Sequence, residues 1–273
     1  MIVFSILGFT SIILSGGIFY LTGLYDTWYF YFIPILLLPI IYVLLFGLYI
    51  AALWFFSLFL SMKKEIKKPN SFYYFFIRQT CFGLLILFRA RIHKTNLDLL
   101  PKKRCLIITN HQSNFDPMIP VYYAKNHPLI CVTKPENMNI PILGKFLHNA
   151  GFIPINRENN FEGIKAITKA TSYIKDDLSS IYICPEGTRN KGEGLLEFHA
   201  GSFKIAYKAK CPIVITSLRN TRKIAKNFPF KRTHVYYDVL KVLEYEDYKD
   251  KSTQEISDYA KELILNQINI GEK

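Results

Sequence analysis

The pattern of hydrophobic and polar positions divides this chain into two unlike parts. Residues 1–62 are almost continuously apolar, in two blocks, "MIVFSILGFTSIILSGGIFYLTGLY" and "WYFYFIPILLLPIIYVLLFGLYIAALWFFSLFLSM". A helix that crosses a bilayer needs about 20 apolar residues, which both blocks supply. As one straight helix the roughly 35 residues of the second block would reach about 50 Å, past the hydrocarbon core, so it must tilt, break near Pro34 or Pro39, or run beyond the membrane. Almost no polar face is left for water, and the reading is two transmembrane helices. A cleaved leader is the rival for the first block; the absence of a basic start and of a small-residue cleavage site speaks against it. From residue 71, "SFYYFFIRQTCFGLLILFRARIH" holds too short an apolar middle to span. Its flanking aromatics and arginines suit a helix at the membrane interface, with a core helix of the following domain as the alternative.

Beyond residue 95 the period changes. Short β-rich runs at 104–109, 129–133, 152–155, 180–184, 213–217 and 234–240 alternate with helical stretches at 117–126, 143–149, 161–178, 201–210 and 252–268. The clearest helix is "FEGIKAITKATSYIKDDL", with Phe161, Ile164, Ile167, Ala170 and Ile174 at helical spacing. Alternation of this kind predicts an α/β fold, a largely parallel sheet flanked by helices, preceded by the transmembrane helices and the interfacial helix. In such sheets ligands gather beyond the C-terminal ends of the strands.

Charge sharpens the division. Residues 1–62 carry one charged side chain, Asp26, so the remainder holds 34 cationic against 20 acidic side chains. Lys63, Lys64, Lys67 and Lys68 follow the second apolar block directly, and positive charge there marks the cytoplasmic side. The five cysteines are scattered and form no CxxC, which fits buried free thiols in a reducing compartment. No metal-ligand spacing appears.

Three predicted strands end in polar insertions. "CLIITNHQSNFDPMIP" delivers His111 and Asp116 just after 104–109. A histidine with a carboxylate in reach can serve as a general base, the carboxylate orienting the ring. Asp116 ahead of Pro117 is equally a helix cap, and on these residues alone both readings stand. "GFIPINR" ends in Arg157 and opens with Gly151; arginine grips phosphate or carboxylate with two prongs, and the plain alternative is a surface pair with Glu158. "CPEGTRN" carries Glu186, Gly187, Thr188 and Arg189, either a ligand loop with close backbone approach or an ordinary glycine turn.

Taken in order, NHxSxxD (Asn110, His111, Ser113, Asp116), GxIxIxR (Gly151 to Arg157) and PEGTR (Pro185 to Arg189) resemble the 1-acyl-sn-glycerol-3-phosphate acyltransferase family, over roughly residues 71–220. A fourth family block, an apolar strand with "PIVPV", is here Pro212-Ile213-Val214-Ile215-Thr216, without the second proline. The resemblance implies that His111 is the general base, Asp116 its orienting partner, and that the acceptor site comprises Arg157, Glu186, Gly187, Thr188 and Arg189, with Lys134 as a further phosphate ligand. Glu186, of the wrong sign for phosphate, would position an arginine or a glycerol hydroxyl. The implied reaction moves a fatty acyl group from acyl-CoA or acyl-ACP, a co-substrate and not a bound cofactor, to the sn-2 hydroxyl of 1-acyl-sn-glycerol 3-phosphate, giving phosphatidic acid. Glycerol 3-phosphate or another lysophospholipid as acceptor, and a non-catalytic membrane-surface scaffold, are the alternatives.

The expected organisation is a transmembrane anchor over 1–62, a basic linker and interface helix over 63–94, and a cytoplasmic α/β acyltransferase domain over 95–273. The expected location is the cell membrane, as an integral protein with its catalytic domain on the cytoplasmic side. The expected partners are lysophospholipid, acyl thioester, membrane lipids and acyl carrier protein. Nucleic acid is not among them, because the basic body comes with membrane blocks and no nucleic-acid motif.

Overall fold

The computed structural model describes residues 2–23, 25, 27–124, 128–156 and 159–270. The chain falls into two compact units, Met1–Ser61 and Met62–Lys273. In the first, α1 (Ile2–Leu21) and α2 (Phe32–Leu58) pack on each other, with the rings of Phe4 and Phe46 6.1 Å apart. α2 runs unbroken through Pro39, and Pro34 lies in its first turn, where a missing N–H costs little. Both helices are long and apolar enough to cross a membrane. Three of their serines turn back onto the helix itself, Ser11 donating to the Gly8 carbonyl at 2.7 Å, Ser15 to that of Ile12 at 3.1 Å and Ser57 to that of Trp54 at 2.7 Å. Polar groups satisfied within one helix suit a hydrocarbon surrounding.

The second unit is built on a seven-stranded sheet: β1 (Ala90–Thr95), β2 (Leu106–Ile108), β3 (Leu129–Thr133), β4 (Ile153–Pro154), β5 (Ser180–Ile183), β6 (Ile213–Arg219) and β7 (Thr233–Leu243). Its order is β1-β7-β6-β2-β5-β3-β4, and every neighbouring pair is parallel except the antiparallel β6–β7. The parallel inner strands read LII, LICVT and SIYI because both faces are covered by helices. The position of the absent second proline, Ile215, adjoins a shift in the β6–β7 register, so the strand is interrupted there without proline.

The segment after the first unit is not one helix. α3 (Ser71–Leu87), capped by the Asn70 side chain, stops at Arg89, whose φ is 54°, and β1 follows. ARIHKT has no clear alternation; its strand state comes from pairing with β7, a partner about 140 residues away in the chain. One face of α3 is core: Tyr74, Ile77, Cys81 and Leu85 are buried. The Tyr74 hydroxyl donates to the Val121 carbonyl at 3.2 Å and accepts from the Leu129 N–H at 3.1 Å. The other face exposes Phe72, Ile86 and Leu87. The remaining helices, α4 (Met118–Tyr123), α5 (Leu143–Ala150), α6 (Asn160–Lys175), α7 (Lys204–Ala209), α8 (Lys223–Asn227), α9 (Tyr245–Tyr248) and α10 (Thr253–Ile270), cover the sheet. The five cysteines are free thiols, and burial pushes those of Cys81 and Cys211 up to about 12.

Candidate active site

Four parallel strands, β2-β5-β3-β4, lie side by side, so their C-terminal ends open along one edge of the sheet. That arrangement brings together the three polar insertions and Lys134, which the chain keeps far apart. His111 follows β2, Cys184 to Arg189 follow β5, Lys134 follows β3, and Ile155 and Asn156 follow β4.

The turn after β2 is organised around one carboxylate. Asp116 is fully buried and its Oδ2 accepts from His111 Nδ1 at 2.8 Å and from the backbone N–H groups of Gln112 at 2.6 Å and Ser113 at 2.7 Å. With an ionised carboxylate on Nδ1, the neutral ring carries its proton there and leaves Nε2 as the acceptor. The side chain keeps 20% exposure. The cap reading of Asp116 is corrected by this geometry: Pro117 is the N-cap of α4, without a side-chain cap bond, because the carboxylate turns back over the turn that precedes it. Ser113 shapes the same turn, its hydroxyl accepting from the Phe115 N–H at 3.2 Å.

Asn110 ties the end of β2 to β6. Its side-chain amide donates to the Leu218 carbonyl at 2.9 Å and accepts from the Leu218 N–H at 2.8 Å, continuing the ladder with a side chain where the backbone departs. His111 itself is held at both backbone groups. Its N–H donates to Glu186 Oε1 at 2.6 Å, and its carbonyl accepts from the Asn190 N–H at 2.8 Å.

Glu186 is buried, and its other oxygen accepts from the Leu196 N–H at 2.9 Å. Both oxygens therefore accept from backbone amides, a role for Glu186 that the sequence did not suggest. Gly187, at φ 80°, turns the chain just behind it. Sequence reasoning missed Asn190 and Arg222. The Arg222 guanidinium donates to the carbonyls of Asn190 at 2.7 Å, Gly192 at 3.0 Å and Lys191 at 3.3 Å, and so holds the turn that holds His111. Only the folded chain brings these groups to three carbonyls, so no local signal marks them.

A pocket of 480 Å³ opens beside this loop, lined by Lys134, Asn156, Glu186, Gly187, Thr188 and His199, with Glu136 on its wall. Lys134, Thr188 and His199 are exposed, and Arg189 is exposed beside them. Arg157 lies outside the described residues. Gly151 serves the backbone: at φ 95° it ends α5, and a Cβ there would meet Pro69 Cα at 3.1 Å and the Tyr173 hydroxyl at 3.2 Å.

Burial raises the pKa of Glu186 above the usual 4.5, partly opposed by the two amides and by His111. The native state then binds this proton more tightly than the unfolded chain. The stabilising effect is complete below the unfolded value and is lost as pH rises through the native one. Thermal unfolding of the full chain in detergent should therefore show Tm falling as pH rises from about 4.3 through that window, and the slope should be absent in Glu186→Gln. A variant with the same slope would assign it to another group.

Residues 91–218 match the Acyltransferase family model. A 1-acyl-sn-glycerol-3-phosphate acyltransferase of Haemophilus influenzae is 28% identical over 189 residues, which cover 68% of this chain and 78% of that protein. An enzyme of the same description from Borreliella burgdorferi is 33% identical over 194 residues, covering 67% of this chain and 76% of its own length. In fold, the chain is similar to the crystal structure of the 1-acyl-sn-glycerophosphate (LPA) acyltransferase PlsC from Thermotoga maritima. The TM-score is 0.61 at 17% identity, over 82% of this chain and 89% of that one.

Proposed function

This chain belongs to the 1-acyl-sn-glycerol-3-phosphate acyltransferase family, and from that premise we propose that it acylates the free sn-2 hydroxyl of 1-acyl-sn-glycerol 3-phosphate to give phosphatidic acid. One observation carries the reading: Glu186 both holds the His111 amide and lines the 480 Å³ pocket, so the base and the candidate phosphate site share a residue.

In the proposed reaction Nε2 of His111 removes the acceptor's hydroxyl proton while the oxygen attacks the thioester carbonyl of acyl-CoA or acyl-ACP. The tetrahedral intermediate collapses with cleavage of the C–S bond, and the imidazolium returns its proton to the leaving thiolate. Atoms balance without an acyl-enzyme, so no serine or cysteine nucleophile is required. Asp116 holds the ring and offsets the charge that develops on it. Lys134, Thr188, Arg189 and Arg157 grip the acceptor phosphate, with the Gly187 backbone close by. Glu186 acts as a positioning residue. Helices α1 and α2 anchor the protein in the membrane, with Lys63 to Lys68 and the second unit on the cytoplasmic side; protease protection of the second unit in sealed cytoplasmic-side-in vesicles is the expected result.

The test is purified full chain in detergent or vesicles, with labelled acyl-CoA and acyl-ACP and a panel of acceptors. Phosphatidic acid formed from the lysophosphatidate is the expected product. Acylation confined to glycerol 3-phosphate or to another lysophospholipid would move the acceptor assignment, and protein inert in every combination would favour a scaffold. Hydrogen bonds to charged groups contribute about 1.5–3 kcal/mol, so Lys134→Ala should raise the acceptor KM by about tenfold or more with kcat little changed. An unaltered KM would remove Lys134 from the phosphate site.

A further inference from the structure

The end of α3 and the loop that follows α8 form one apolar surface on the second unit. Ile86 is 58% exposed, Leu87 57% and Phe230 87%. They are not loose ends. Arg89 Nη1 donates to the carbonyls of Pro229 at 3.0 Å and Phe230 at 3.3 Å, and the Arg89 carbonyl accepts from the Thr233 N–H at 3.1 Å. The ring of Phe88 lies 4.6 Å from that of Phe228 and 4.9 Å from that of Phe115. Helix end and loop are therefore bound into a single tip that holds a phenylalanine out toward solvent.

Around this tip the charge has one sign. Arg89, Arg91, Lys223, Lys226, Lys231 and Arg232 are exposed, and the segments 89–95 and 223–232 contain no Asp or Glu. None of the six pairs with a carboxylate among the described residues. Large apolar side chains ringed by unpaired cations match the acyl boundary and anionic headgroups of a phospholipid surface. The same charge disfavours a second copy, since a two-fold contact would set the cations against themselves.

We infer that the exposed end of α3 and the Phe228–Phe230 loop form a bilayer-docking site of the second unit, additional to α1 and α2 and selective for anionic phospholipid. Its place in the fold adds a consequence. Phe115, which meets Phe88 edge-on, belongs to the turn between His111 and Asp116. The docking tip is one aromatic layer from that turn, so binding the bilayer presents lipid beside the base. This last step rests on the acyl-transfer reading; the docking itself does not.

The test uses full chain reconstituted in vesicles of phosphatidylglycerol and phosphatidylcholine with brominated acyl chains. Phe230→Trp is compared with its parent, whose Trp28 and Trp54 supply the background. Most of the added emission should be quenched, and the quenching should be lost with phosphatidylcholine alone or when Lys231→Glu and Arg232→Glu are added. Unquenched emission in anionic vesicles would overturn the proposal, as would cross-linking of position 230 between two copies in place of quenching. In a second arm, Phe230→Asp should lower the acylation rate about tenfold on acceptor in anionic vesicles and leave detergent-dispersed acceptor unaffected. Wild-type protein inert in both media would sink the acyl-transfer reading while the quenching result still decides the docking site.

Discussion

Replacing His111 with alanine should lower kcat for acyl transfer by about 10²–10⁴-fold, with the acceptor KM little changed. The side chain is 20% exposed and its Nδ1 is fixed 2.8 Å from Asp116, so the substitution removes a base without opening the core. The loss falls on kcat because the base acts on the proton moving in the transition state, while the candidate phosphate ligands remain in place. Asp116→Asn should reach a loss of similar order by another route. The oxygen that meets Gln112, Ser113 and His111 Nδ1 is a single atom, so the carboxamide can keep all three bonds, but it carries no negative charge to offset the charge that develops on the ring. Single-turnover kinetics with labelled donor measure both. Undiminished transfer by His111→Ala would refute the general-base assignment.

The second large effect is one of stability. Asn110→Ala should destabilise the second unit by several kcal/mol and lower kcat as well. Asn110 is fully buried, and its side chain serves both backbone groups of Leu218 at 2.8 and 2.9 Å. Alanine leaves a donor and an acceptor buried without partners, at about 1–3 kcal/mol each, a large share of a typical total of about 5–15 kcal/mol. The same bond pair fixes the residue immediately before His111, so a small shift there misplaces the base. Asn110→Asp separates the two contributions, because it retains the acceptor for the Leu218 N–H and sets a carboxylate against the Leu218 carbonyl. Denaturant unfolding of the full chain in detergent reads the first effect. A midpoint unchanged in Asn110→Ala would show that β2 is held by its backbone ladder alone.

Several features were legible along the chain because they are local. Two apolar runs long enough to cross a bilayer need only composition to be recognised, and α6 and α10 declare themselves by helical spacing. The inner strands LII, LICVT and SIYI are apolar on almost every residue because both faces are covered, and each ends in an abrupt polar insertion. Spacing also joined His111 to Asp116, five residues apart in one turn, although it could not tell a cap from an orienting carboxylate. β1 was not legible, since ARIHKT becomes a strand only through its pairing with β7.

The sequence by itself determined the division into an apolar N-terminal part and a basic α/β body, the alternation that makes a mostly parallel sheet, and the residue types at the ends of its strands. These follow from side-chain period and composition, which act over one or two turns of chain. The tertiary structure decided the rest. It turned the Asp116 carboxylate back onto Gln112, Ser113 and His111, and took both oxygens of Glu186 for the amides of His111 and Leu196. It also brought Arg222 to the turn at Asn190. A buried backbone amide or carbonyl must find a partner wherever the fold leaves it, and that partner can lie at any distance along the chain. His111 and Glu186 stand 75 residues apart and meet at 2.6 Å because β2 and β5 are neighbours in the sheet.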